Sequence, residues 1–254
     1  MRHIAWSLAA LLTLWAVPAA AAVQSQPAPA DAPPAHVNSP ATPARTALAK
    51  DLVGHTQPPE LMIEAVMVGW NLGVAEQQAS ELAALDKIQP GLSGLFLDRG
   101  KTEIVALVSE RIPQMRQQLA AIYADNCSEE QLRELIAFYS SPLGTKLIRS
   151  MTLSVKGSES FDDDQVTAAE ATQANREAAQ DAVKALSGDE WIAAARFGLS
   201  PSGRLVKTLA PKIQSVAADW MTRLMADYGT RMETVAEEMV GQAIEEADKA
   251  AEAD

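Results

Sequence analysis

Glu60 and Glu64, and again Glu130 and Glu134, stand four residues apart, so on a helix each pair shares a face and offers the two carboxylates that glycosidic hydrolysis requires. With 33 acidic residues in the chain, such pairs arise by chance, and their ordinary fate is a solvated face. Imidazole is scarce: His3 falls near the N-terminus, and His36 and His55 lie in or beside a proline-rich stretch. A Ser-His-Asp or Cys-His arrangement needs its imidazole held by a rigid scaffold, and zinc needs several His or Cys ligands. Asp162-Asp163-Asp164 suggests calcium. The residues after this triplet lack the acidic fifth position, the sixth-position Gly and the closing Glu of a twelve-residue loop, which leaves a helix N-cap and first-turn charge cluster. Neither GxxxxGKS nor GxGxxG occurs, so nucleotide binding has no support, and no cofactor or metal is expected.

The sharpest pattern is a repeat. Phe138-Tyr-Ser-Ser-Pro-Leu-Gly144 returns as Phe197-Gly-Leu-Ser-Pro-Ser-Gly203, offset by 59 residues. Ser141 and Ser200 suit the N-cap of a helix, and Pro142 and Pro201 its first position, where the missing proline donor costs nothing. Gly144 and Gly203 then fall at the third position. Glycine there is unfavourable by about 1 kcal/mol, so close approach of a neighbour is expected. Ten residues before each Phe a serine opens a capping box: Ser128 with Gln131, and Ser187 with Glu190. Two readings of the corners stay open. Free amides near Lys146 and Arg149, or near Arg204 and Lys207, offer a small anion a seat; alternatively Ser141 and Ser200 satisfy those amides themselves, which the capping preference favours.

The elements that carry these residues read as helices. Leu61, Ala65, Val68 and Leu72 recur at helical steps, widened by Met62, Val66 and Trp70, until Pro90-Gly91 breaks the chain. Leu92, Leu95, Phe96 and Leu97 look like a short apolar connection, and Thr102 like the cap of a helix bearing Val105, Val108, Ile112, Met115, Leu119, Ile122 and Tyr123. Pro113 inside that run predicts a kink or break near Arg111. Leu132, Leu135, Ile136 and Tyr139 form the next face, and Lys156 to Asp164 a polar break. An Ala-rich segment over Gln165 to Leu186 comes next, then a stripe from Leu205 through Trp220 to Ile244 that Pro211 can bend. No alternating strand pattern of useful length is present. The fold class is therefore all-α, a helical bundle built from two related helix-corner-helix units near 102–155 and 165–240 within a helical domain over 59–245.

Residues 1–22 read as a signal peptide: Arg2 and His3, an apolar stretch, then Ala20-Ala21-Ala22 as the cleavage site. The region 23–58 is rich in Pro and Ala and predicts a disordered linker, and the acidic tail 246–254 is expected to fray. Cys127 is the single cysteine, so an internal disulfide is impossible; it serves as a buried apolar group or as a link to a second chain. The net charge is −12, one unit more negative without Arg2, which speaks against nucleic acid and anionic membrane surfaces as partners. No segment after the signal is apolar for long enough to span a bilayer.

The stretch from Ile122 to Lys146, with Tyr123, Phe138, Tyr139, Ser141, Pro142, Gly144 and Lys146, resembles the core of the bacterial domain of unknown function family 2059. The resemblance covers Ile104 to Leu153 well and the later copy weakly, and it implies an exported helical protein of Gram-negative bacteria with no established activity. Cys127 stands where the family tends to have an aromatic, and Leu205 replaces the lysine in the second copy, which puts a ligand site shared by both halves in doubt. The expectation is a non-catalytic periplasmic or secreted helical interaction or scaffold module, its partner an unknown envelope protein, with a homodimer as an open arrangement. The alternatives are a carrier of a hydrophobic ligand between Met- and Trp-rich helices and a carboxylate-dependent envelope hydrolase.

Overall fold

In the computed structural model the described residues are 40–153 and 180–253, with the side chains of 72–81, 247, 250, 251 and 253 left aside. Residues 1–22, the spacer up to 39, Asp162-Asp163-Asp164 and most of Gln165 to Leu186 lie outside them. Among the described residues every regular element is an α-helix: α1 Pro43–Thr56, α2 Pro59–Ile88, α3 Leu92–Asn126, α4 Glu129–Tyr139, α5 Pro142–Leu153, α6 Gly188–Leu199 and α7 Pro201–Ala253, with a further helical end at 180–184. The fold is an all-α bundle around α3, which packs against α1, α2 and α7.

α1 corrects the spacer expectation. Thr42 caps it, its side chain accepting from Arg45 N at 3.2 Å, and Pro43 takes the first turn. Arg45, Ala49, Leu52, Val53 and Thr56 are buried against α3 and α4; their spacing is that of an amphipathic helix, so the proline-rich composition before Pro43 does not extend to a disordered segment up to residue 58.

The α2–α3 turn falls at Gln89 to Gly91, as Pro90-Gly91 predicts, with Gly91 left-handed at φ 87°. Asp86 staples it: its carboxylate accepts from Gly91 N and Ser93 N, both at 3.1 Å, and from Ser93 Oγ at 2.7 Å. Those bonds, the Ser93 hydroxyl first, hold the Asp86 carboxyl below its usual range. Leu92 to Leu97 is thus the first turns of α3 rather than a connection. Thr102 lies inside the helix, its hydroxyl returned to Asp98 O at 2.9 Å. Nor does Pro113 break α3. It is exposed, and on a solvated face water can take over the carbonyl that proline leaves without a donor. Pro211 is tolerated in α7 in the same exposed setting.

α7 runs antiparallel to α3. Lys212 reaches Asn126 at 3.1 Å, Trp220 Nε1 donates to Arg111 O at 3.2 Å, Arg111 pairs with Asp227 at 2.5 Å and Arg231 pairs with Glu110 at 2.6 Å. Alongside these ties and beyond them, Ile104, Leu107, Val108, Ile112, Met115 and Leu119 from α3 and Leu209, Ile213, Trp220, Leu224, Tyr228 and Met232 from α7 belong to one core. Near its end the stripe shifts by one residue: Ala243 is buried while Ile244 is exposed. The acidic tail does not begin as a frayed coil, because α7 stays helical to Ala253 and Gln89 Nε2 bonds Glu246 at 3.2 Å.

Candidate functional site: the two serine-proline corners

Both predicted capping boxes form. Ser128 accepts from Gln131 N at 3.2 Å while Gln131 accepts from Ser128 N at 2.8 Å; Ser187 accepts from Glu190 N at 3.4 Å and Glu190 from Ser187 N at 2.8 Å. α4 ends at Tyr139 and α5 starts at Pro142; α6 ends at Leu199 and α7 starts at Pro201. At the first corner Ser141 Oγ accepts from Gly144 N at 3.1 Å and donates to Phe138 O at 2.6 Å. At the second, Ser200 Oγ accepts from Gly203 N at 3.1 Å.

The glycines answer the same demand twice. A Cβ on Gly144 would lie 2.2 Å from Phe138 O and 2.6 Å from Tyr139 Cα, and one on Gly203 would lie 2.1 Å from Phe197 O. These are backbone atoms of the preceding helix, which has no rotamer with which to yield. The two corners then meet. Phe138 and Phe197 stack face to face, centroids 3.6 Å apart and planes within 1°, and Tyr139 meets Phe197 edge-on at 5.8 Å.

Polar ties fasten the contact. Lys146 Nζ holds both oxygens of Glu190, at 2.8 and 3.0 Å. That bond first, and the Ser187 amide second, keep the Glu190 carboxyl below its usual range. Ser202, fully buried, donates to Glu134 at 2.5 Å. Sequence reasoning gave Glu190 one role, and the structure gives it two. Nothing in the local pattern announced the Ser202–Glu134 bond, since its partners lie 68 residues apart.

The groups singled out for chemistry are engaged elsewhere or apart. Glu64 pairs with Arg149 at 2.6 Å and Glu134 with Ser202, while Glu130 is exposed. His55 faces Asp51 at 3.6 Å on the exposed side of α1; His36 lies outside the described residues. Tyr123 and Tyr139 are buried, and burial pushes both phenols up from their ordinary pKa. Cys127 is fully buried among the core side chains, the setting of a small apolar group; burial pushes its thiol up to about 12, against a smaller opposite effect of the nearby Arg45 guanidinium.

Fold and corners together define an all-α bundle in which a recurrent Ser-Pro-x-Gly motif caps, turns and packs helices. Residues 113–155 match the family model described as an uncharacterized protein conserved in bacteria (DUF2059), in agreement with the resemblance carried by Tyr123 to Lys146. The matched stretch spans the C-terminal part of α3 and all of α4 and α5, and so contains the first corner and not Phe197, Ser200, Pro201 or Gly203. No curated protein and no solved structure gave a match.

Proposed function

We propose that this chain is a non-catalytic helical interaction or scaffold module that acts in the periplasm after removal of residues 1–22, and that its two corners descend from one duplicated unit. The observation that carries the first part is the use made of the motif side chains. Ser141 and Ser200 bond their own helix starts, Lys146 bonds Glu190, Tyr139 and Phe138 pack on Phe197, and the glycines make room for backbone. No reactive group is left over for a substrate at these positions. The duplication rests on the 59-residue offset together with the matching cap, corner and glycine geometry.

No specific observation favours the ligand-carrier reading, since Met62, Trp70, Met115, Trp220, Met221 and Met232 all pack in the common core. Native mass spectrometry of the chain isolated from the envelope of its own host tests the proposal. The expected spectrum shows a polypeptide beginning at Val23, bound to protein and carrying no small molecule. A stoichiometric lipid adduct, or turnover of an envelope substrate by the purified chain that Glu64→Gln or Glu134→Gln abolishes, would overturn it.

A further inference from the structure

α6 buries Ala194 and leaves Trp191 45%, Ile192 51% and Leu199 53% exposed. With 3.6 residues per turn, Trp191, Ala195 and Leu199 succeed one another at i, i+4 and i+8, Ile192 lies seven residues from Leu199, and Gly188 sits at the head of the same stripe. A side chain on Gly188 would meet nothing within 4 Å, so that end of the stripe is open. Along one edge run exposed Asp189 and Arg196, also seven apart, and neither has an ion-pair partner among the described residues.

We propose that this face binds a second copy of the chain, α6 against α6, antiparallel about a two-fold axis. In antiparallel helices like edges face each other, and a two-fold contact must be complementary to itself. The α6 stripe is complementary at one register, centred close to Ala193. There, to within one residue along the helix axis, Trp191 lies over the partner's Ala195, Leu199 over the partner's Gly188, and Asp189 meets the partner's Arg196. Each of these contacts occurs twice. Large residues meet small ones and acid meets base, a match that a random apolar patch would not provide.

The stripe is much smaller than the roughly 800 Å² per partner of a standard stable interface, and the net charge of −12 opposes association. The dimer is therefore weak, with Kd on the order of 10–100 µM. This inference rests on the interaction-module reading and names one partner for it.

The test is sedimentation of the purified chain from about 1 to about 500 µM, a range that brackets that affinity, with circular dichroism to confirm that each variant is folded. Wild type is expected to dimerise reversibly. Ile192→Glu, Asp189→Arg and Arg196→Asp should each weaken the dimer about tenfold or more, and the double exchange D189R/R196D should recover most of the loss because the pair is restored in reverse. A wild type that stays monomeric throughout, a dimer indifferent to Ile192→Glu, or a double exchange no better than its singles would overturn the proposal. A monomer in which Ile192→Glu lowers the melting temperature would show that the chain covers this face itself, and that too overturns it. None of these outcomes bears on whether envelope-isolated protein carries another polypeptide, so the broader reading stands or falls on its own measurement.

Discussion

At Gly144 a single methyl group decides whether the first corner can close. Its Cβ would fall 2.2 Å from Phe138 O, and relief requires α4 and α5 to part, which also disturbs the Phe138–Phe197 stack. Gly144→Ala and Gly203→Ala should each cost about 3 kcal/mol or more. Gly229→Ala, inside α7 with open space around it, should gain about 0.5–1 kcal/mol from helix propensity alone. Urea unfolding of the three variants reads both signs in one experiment. Protons give a second prediction at this scale. Cys127 is raised from 9.0 to about 12, and Tyr123, Tyr139 and Tyr228 are raised as well, burial being the leading cause in each. The folded state therefore keeps protons that the unfolded chain gives up. Their contribution is complete below pH 9 and is lost as pH rises from 9 toward 12. Stability followed by circular dichroism should be flat through pH 8 and fall steadily above pH 9; a rise or a plateau up to pH 11 would contradict the burial of these groups. Tyr228 adds a cost of its own, since its hydroxyl is buried with no hydrogen-bond partner among the described residues, over the space that Gly100 leaves.

Helix starts are the elements whose origin was plainest in the sequence. Ser128-x-x-Gln131 and Ser187-x-x-Glu190 specify reciprocal bonds within four residues, and both form. Ser128→Ala and Ser187→Ala should each lower stability by about 1 kcal/mol in thermal or urea unfolding, and Asp in place of either serine should hold most of it. Helix continuity was harder to read. Proline at 113 and the Thr102 side chain pointed to boundaries, yet α3 passes through both, because exposure on one face and a long apolar stripe on the other outweigh one missing amide. α1 was missed for the opposite reason. Thr42-Pro43 is the same N-cap chemistry as Ser141-Pro142, but six prolines precede it, and only packing against α3 and α4 distinguishes a short helix from a continued spacer. The ties between elements, Lys146 to Glu190 and Ser202 to Glu134, were not legible at all. Each joins residues whose nearness depends on how the corners face one another, and no local period encodes that.

At the scale of the molecule the core is drawn from both ends of the described chain. Ala49, Leu52 and Val53 of α1 and the long stripe of α7 belong to the same apolar cluster as α3 and α4. Removing everything before Pro58 should therefore expose the α3–α4 surface. We expect a melting temperature lowered by at least about 10 °C, or aggregation, where a true spacer could be deleted without effect; Leu52→Ala alone should cost about 2–5 kcal/mol. α3 is made well before α7. Until α7 docks, Ile104, Leu107, Met115 and Leu119 lack the part of their cover that α7 supplies, so the chain should be a client for chaperones until that contact forms.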